Sequence, residues 1–438
     1  MTHLTVIEHE RIAIRSESDP TLLDKALSER DVDELEALGD RLGVRIVEPL
    51  SRKAVKFTQF VGIVRVGGRD IEVLPKLEDP ALNPSVGVIR HNLLQMLLVA
   101  YDVPVMPAGS AATISQDASW LDVFVQMFCS ELASAARRGL PKRYRLCEED
   151  LLALQGRLLV HDQMRRSAAE QAQLACEFDE LDENHDLNQL LKLALQRMWA
   201  LSRSVATQRA LRSLLVSFES VADRSPAGDW WRSVRVDRLT ATLGRSVQLA
   251  QLFLSGLSPG LSKGDRGAYA LLFDMNRLFE SYIARRLRSS LANSHFEVKL
   301  QSAEHHLVRA EGEHAGLFRL RPDLVVMDGM AVACVGDTKW KRLAPEERKL
   351  GVSQADLYQM LAYANRYACS NTWLIYPFNR NDSPGLAAGR RFFYEKSQVS
   401  VLVGAVCLAR LDTVDEQLRA LFVRARLPDA MQQAVYTE

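Results

Sequence analysis

The chain has 438 residues, 47% of them hydrophobic, with 55 Lys and Arg set against 55 Asp and Glu for a formal net charge of zero. That length exceeds one ordinary core and predicts two or three domains. The charge balance excludes a strongly basic nucleic-acid coat but leaves room for a local basic groove. It also predicts weak DNA binding by this chain alone, because phosphate neutralisation supplies most non-specific affinity.

The opening "MTHLTVIEHERIAIRSESD" is too charged for a signal peptide, and no apolar run approaches a membrane span. Cys129, Cys147, Cys176, Cys334, Cys369 and Cys407 lie far apart with no CxxC pair. A zinc site or disulfide framework is therefore not expected, and a reducing cytoplasm is the default compartment. "FVGIVRV" and "IEVLPKL", separated by "GGRD", read as a hairpin within a small β-rich part over 1–85.

Helical patterns follow over 86–262. They are "SVGVIRHNLLQMLLVAY", "SWLDVFVQMFCSELASAARRG" and "ENHDLNQLLKLALQRMWALSRS". The second carries Leu121, Phe124, Val125, Phe128 and Leu132 on one stripe, with Gly139 as its stop. "ARRGLPKRYRL", with Arg137, Arg138, Lys142, Arg143 and Arg145, reads as a charged helix end and loop, with contact to DNA phosphates or a motor subunit as the alternative. Trp230 and Trp231 read as packing residues. "SGLSPGLSKGDRG", Ser255 to Gly267, is the expected linker.

Over 263–438 the pattern changes. A helix "AYALLFDMNRLFESYIARRLRSSL" and a strand "HFEVKLQ" precede the hairpin "RPDLVVMDGMAVACVGDTKWK". A helix "SQADLYQMLAYANRYA" and the strands "TWLIYPF" and "VSVLVGAVCL" complete a compact α/β domain, with helices against a mixed sheet.

The hairpin carries the chemistry. Asp337 and Lys339 are two apart on one strand and share a face. A two-residue Asp328-Gly329 turn would leave Asp323 on the opposite face. A three-residue turn or a bulge would bring it to that of Asp337, roughly 7 Å away at the backbone. One of these is expected. The flanks "LVV" and "AVACV" read as buried strands, where unpartnered charges are costly; on an edge hairpin the same residues would be an ordinary solvated set. Two close carboxylates repel unless a cation sits between them, and Mg²⁺ takes oxygen ligands. The backbone carbonyl of Thr338 is a further candidate ligand. Lys339 is placed to act on the attacking water or on phosphate charge. Asp356, Gln359 and Tyr363 fall on one face of the next helix. Glu280 is a candidate third carboxylate. Arg285, Arg286 and Arg288 are candidate DNA-backbone contacts.

On these residues the C-terminal domain resembles the PD-(D/E)xK nuclease superfamily. "RPD" ends in Asp323, "DTK" spans Asp337 to Lys339, and Gln359 with Tyr363 is similar to the Q-x-x-x-Y signature of RecB-like nucleases. The resemblance implies Mg²⁺, with Mn²⁺ as a substitute, on Asp323, Asp337 and Glu280, with Lys339 in catalysis. Blocks along the chain also resemble the McrC family, the nuclease subunit of McrBC-type modification-dependent restriction systems. They are "FVGIVRVGGRDIEVLPKL", "RRGLPKRYRL", "LQGRLLV", "LNQLLKLAL" and "FDMNRLFESYI". That resemblance implies a hexameric AAA+ partner of the McrB type, which hydrolyses nucleotide and usually reads the DNA. Residues 1–85 would contact this motor and stimulate it. The substrate would be double-stranded DNA, methylated or not, in the cytoplasm and away from membranes. The chain has no GxxxxGK[ST] loop, so nucleotide binding by this chain alone is not expected. Two rival readings are an autonomous repair nuclease and a non-catalytic activator of an AAA+ ring.

Overall fold

The structure is a computed structural model. It describes residues 3–15, 25–77, 85–103, 119–137, 139–167, 172–202, 204–256, 269–302, 305–311, 315–378 and 388–426. The chain divides into two compact units. One joins Met1–Gln116 to Gly260–Glu438, and the other is Asp117–Pro259.

The first unit opens with β1 (His3–Ile7), β2 (Arg11–Arg15), β3 (Ala26–Ser28), α1 (Glu29–Leu42), β4 (Val47–Ser51), β5 (Ala54–Phe57), β6 (Phe60–Val66), β7 (Arg69–Leu74) and α2 (Val86–Ala100). The expected β6–β7 hairpin forms. Val66 pairs with Arg69 across Gly67 and Gly68, both at positive φ as the tight turn requires. Helix α1 was not expected in a β-rich part. Its start is a capping box, in which Ser28 Oγ accepts from Asp31 N and Asp31 Oδ2 accepts from Ser28 N, each at 3.0 Å. Val32, Leu35 and Leu38 then bury one stripe against the strands.

The second unit holds α3 (Trp120–Ala136), β8 (Arg143–Leu151), β9 (Arg157–Leu158), α4 (Val160–Met164), β10 (Leu174–Asp182), α5 (Asp186–Leu201), α6 (Val205–Val216) and α7 (Gly244–Gly256). All five stripe residues of α3 are buried, and so is Trp231. The region is mainly helical as expected, and a sheet in the order β8-β10-β9, which was not expected, is added to the helices. "KRYRL" enters a nine-residue strand rather than a loop. That strand is exposed at nearly every position, so no apolar alternation marks it. Arg138 and linker residues 257–267 lie outside the described residues.

The chain returns to the first unit with β11 (Tyr269–Asp274), α8 (Met275–Ser290), β12 (Phe296–Leu300), β13 (His306–Arg309), β14 (Gly316–Arg319), β15 (Leu324–Asp328), β16 (Ala331–Thr338), α9 (Gln354–Arg366), β17 (Asn371–Phe378), β18 (Arg390–Phe393), β19 (Ser400–Cys407) and α10 (Val414–Arg426). Here the expected 24-residue helix is corrected. "YALLFD" is a strand, and Asp274 caps the helix that follows by accepting from Asn276 N. β11 pairs antiparallel with β6 and completes the sheet β1-β7-β6-β11. Gly62 permits this approach. It sits at φ 133°, and a Cβ there would lie 2.0 Å from Leu271 O. That pairing, with α2 packed on α8, joins 1–85 and 263–438 into one unit where a three-way division was expected.

The main sheet has the order β12-β15-β16-β17-β19-β18. β16, β17 and β19 run parallel, and the remaining neighbours pair antiparallel. The mixed α/β expectation holds. Val325, Val335, Leu374 and Val403 of the sheet pack with Met360 and Tyr363 of α9. Five of the six cysteines are buried and Cys407 is partly so; all are free thiols. Among the described residues no helix is long and apolar enough to cross a membrane.

Candidate active site

The β15–β16 hairpin turns through Gly329 and Met330, one residue later than the two-residue turn considered from sequence. Past Met327, which pairs with Val332, the register slips, so that Val326 pairs with Cys334 and Leu324 with Gly336. Ala333 is thus the extra residue of a bulge. The bulge shifts the alternation by one and carries Asp323, the next residue out, to the level of Asp337. The bulge alternative holds, and the acids face each other directly rather than diagonally.

Each acid is fixed by its neighbours. Asp323 Oδ2 accepts from Thr338 N and Thr338 Oγ1, both at 2.7 Å. Asp337 is buried, and its Oδ2 lies 2.7 Å from Lys339 Nζ. Lys339 N donates to Ile375 O at 2.9 Å, tying its backbone to β17. Helix α9 closes the cluster from the side. Lys339 Nζ donates to Gln359 Oε1 at 3.0 Å and stands 3.6 Å from Asp356 Oδ1. Gln359 Nε2 donates to Tyr363 Oη at 2.8 Å and reaches Asp337 Oδ1 at 3.5 Å. Tyr363 Oη donates to Arg321 O at 3.2 Å. Asp356, Gln359 and Tyr363 therefore do share a face, and that face looks onto the lysine. Ser353 sets the register of the helix by accepting from Asp356 N.

Electrostatics follow from this crowding. Burial, then the charge of Asp323, pushes the Asp337 carboxyl up to about 6 against the pull of Lys339. Burial, then the charge of Glu280, pushes Asp323 up to about 6 against the Thr338 hydrogen bonds. For Lys339, burial alone would lower the ammonium, but Asp337, Asp356 and Asp323 outweigh it and raise it. The lysine is a cation here, not a neutral base. Burial also holds the Tyr363 hydroxyl well above its usual range, so it remains a donor.

Glu280 bears on Asp323 through its charge, but its Oε1 accepts from Gln301 Nε2 at 2.7 Å. Among the described residues no three His, Cys, Asp or Glu side chains converge to hold a metal. The three-carboxylate set is therefore not assembled here, since Gln301 takes Glu280 and Lys339 takes Asp337. Asp323 and Asp337 by themselves still fit a hard divalent cation, because the charge of Asp323 bears on Asp337 at close range and Mg²⁺ commonly uses one or two carboxylates plus water.

The expected DNA-backbone arginines fare differently. Arg285 pairs with Asp102 at 3.0 Å and Arg286 with Asp415 at 2.9 Å. Arg286 also donates to Leu411 O, so it serves the packing of α8 on α10. Arg288 is exposed in the last turn of α8. Nearer the acids is a groove of about 440 Å³, lined by Arg319, Arg321, Tyr358, Gln359 and Tyr363 among others. Sequence reasoning missed the two arginines at this groove, because only the fold brings the β13–β14 ribbon to α9.

Fold and site together define a class: a mixed α/β protein whose central sheet presents a carboxylate pair and a lysine at the ends of adjacent strands. Within that class, the family model described as McrBC 5-methylcytosine restriction system component matches residues 55–377. The chain belongs to this family, on its McrC side, and the match takes in the site from Glu280 to Tyr363. Two solved structures from Thermococcus gammatolerans share the fold. One chain of the refined half-complex from the tetradecameric assembly of McrB AAA+ hexamers with bound McrC is 19% identical, with TM-score 0.71, covering 96% of this chain and 99% of that one. A chain of the cryo-EM McrBC complex is 20% identical, with TM-score 0.53, covering 67% and 89%. No curated protein matches the chain.

Proposed function

We propose that this chain is the DNA-cleaving subunit of a McrBC-type restriction system, hydrolysing phosphodiesters of double-stranded DNA with Mg²⁺ on a PD-(D/E)xK nuclease domain. The observation that carries the proposal is the Lys339 ammonium 2.7 Å from buried Asp337, with Gln359 on its other side. Burying two acids and a lysine at the ends of central strands is costly unless they serve chemistry.

Asp323 and Asp337 would hold the cation, with Thr338 orienting Asp323. When bound, Mg²⁺ would supply a Lewis acid for the scissile phosphate and lower the pKa of a bound water. Lys339, kept charged by its acids, offsets negative charge developing on the phosphate. Gln359 aims the lysine, and Tyr363 holds the amide of Gln359 in the orientation that accepts from it. Arg319 and Arg321, along the groove, are suited to the flanking backbone phosphates.

The Thermococcus assembly is described as McrB AAA+ hexamers with bound McrC. That likeness supports the same division of labour here. An AAA+ ring would hydrolyse nucleotide and select the DNA, methylated where the partner reads it, while residues 1–85 contact and stimulate the ring in the cytoplasm. The zero net charge fits a subunit delivered to DNA by a partner.

The test is reconstitution with an AAA+ protein of the McrB type from the same host, with nucleotide and Mg²⁺. Asp337→Ala and Lys339→Ala should each abolish cleavage while leaving folding and ring binding intact. Cleavage retained by either variant would put the chemistry elsewhere.

A further inference from the structure

Outside the site just described, one buried carboxylate stands out. Glu8 follows β1 and is 1% exposed. Its two oxygens accept from Trp340 Nε1 at 3.0 Å each, and Oε1 also accepts from Lys76 N at 2.8 Å. Glu8 N donates to Leu74 O, fixing the residue to the end of β7. His9 Nε2 lies 4.0 Å away, but burial and then the charge of Lys56 lower its pKa and disfavour the charged ring, so the charge of Lys76 does more to offset the carboxylate. Burying a carboxylate with so little countercharge is expensive, so its position asks for a reason.

The reason lies in what Trp340 touches. It is the residue after Lys339, just beyond the end of β16. Its ring packs on Phe279 of α8 with centroids 5.3 Å apart, and Phe279 adjoins Glu280. The indole therefore ties three parts of one unit together: the N-terminal sheet, α8, and the strand end that carries Asp337 and Lys339. The lysine backbone leaves the sheet at this point, its last ladder bond being Lys339 N to Ile375 O. Beyond that bond, the next side-chain anchor is the indole.

We propose that Trp340 is a positioning residue for Lys339, and that Glu8 of the N-terminal sheet holds it in place, so that this sheet sets the geometry of the lysine on Asp337. The proposal rests on the nuclease reading. It gives the N-terminal region a physical connection to the site: any displacement of the β1–β7 edge moves the acceptor of the Trp340 N–H, and with it the segment that carries the ammonium.

The full chain with its AAA+ partner, Mg²⁺ and plasmid DNA tests this with three variants. Trp340→Phe keeps the ring on Phe279 and removes the N–H. Glu8→Leu removes the acceptor, and Glu8→Gln keeps one acceptor oxygen. Trp340→Phe and Glu8→Leu should each lower kcat for cleavage about 10- to 100-fold, with KM for DNA unchanged. Glu8→Gln should stay near wild type. The Glu8→Leu/Trp340→Phe double variant should be no worse than either single one, because both break the same link. The indole N–H resonance of Trp340, identified by its loss in Trp340→Phe, should shift in Glu8→Leu and stay close to its wild-type place in Glu8→Gln. Full kcat in both single variants, additive losses, or an indole resonance indifferent to Glu8→Leu would overturn the link while leaving the nuclease reading standing. A wild-type complex that binds its ring and never cleaves overturns the nuclease reading, and the link to catalysis with it.

Discussion

Raising the pH of the metal-free protein should cost it stability, and the part of that cost due to Asp323 and Asp337 should disappear when both are made neutral. Each carboxyl is raised from 3.8 to about 6 by burial and by neighbouring negative charge. A raised folded-state pKa means the folded protein holds the proton more tightly than the unfolded chain. The stabilisation is therefore complete below about pH 3.8 and is lost as pH rises through about 6. At 1.36 kcal/mol per unit, one group accounts for ~3 kcal/mol. The two carboxyls titrate as a coupled pair, so the pair accounts for ~4 kcal/mol rather than double the single figure. The assay is urea unfolding over a pH series, comparing wild type with Asp323→Asn/Asp337→Asn. Lys339 stays charged throughout this range, so losing its partner shifts the variant by a constant and leaves the slope alone. Glu8, pushed up to about 7 chiefly by burial, titrates in both proteins and cancels in the difference. The variant should gain on wild type by ~4 kcal/mol between about pH 4 and about pH 8, and millimolar Mg²⁺ at the upper pH should recover much of the gap for wild type alone. A difference independent of pH would refute the electrostatic account of the pair. A gap that Mg²⁺ leaves untouched would refute the metal assignment.

Gln359→Ala should reduce cleavage at least about tenfold without weakening DNA binding, because it frees the lysine from its aim and removes no phosphate contact; steady-state kinetics of the reconstituted complex check this. Arg286→Ala should lower stability by ~1 kcal/mol and leave DNA affinity unchanged, since its partners are Asp415 and Leu411 O within the same chain. Paired denaturation and filter-binding measurements separate it from Arg321→Ala, which should weaken DNA binding and flatten its salt dependence. Gly62→Ala should destabilise the protein by ~3 kcal/mol or more, because its Cβ would collide with Leu271 O at a φ that disfavours any side chain; thermal unfolding reads the loss.

The residues of the site were legible in the sequence because their chemistry is local. Asp337 and Lys339 share a strand face by period two, Gln359 and Tyr363 share a helix face by period four, and apolar flanks announce burial on both sides. The need for a three-residue turn or a bulge followed from counting alternation across the hairpin, and the structure took the bulge. The stripe of α3 and the β6–β7 turn were equally local. The tertiary structure decided what depends on distant partners. "YALLFD" is apolar enough for either a strand or the first turns of a helix, and only the open edge of β6, bared by Gly62, made it a strand and merged the two ends of the chain into one unit. β8 carried no apolar alternation, so its pairing with β10 was invisible. Arg285 and Arg286 were basic residues beside the site until Asp102 and Asp415 claimed them, and Glu280 was a spare carboxylate until Gln301 did the same. Glu8 and Trp340 meet across 332 residues of sequence. Periodicity fixes which side chains share a face, but only packing determines which charges find each other, because ion pairs and hydrogen bonds are set by distance in space.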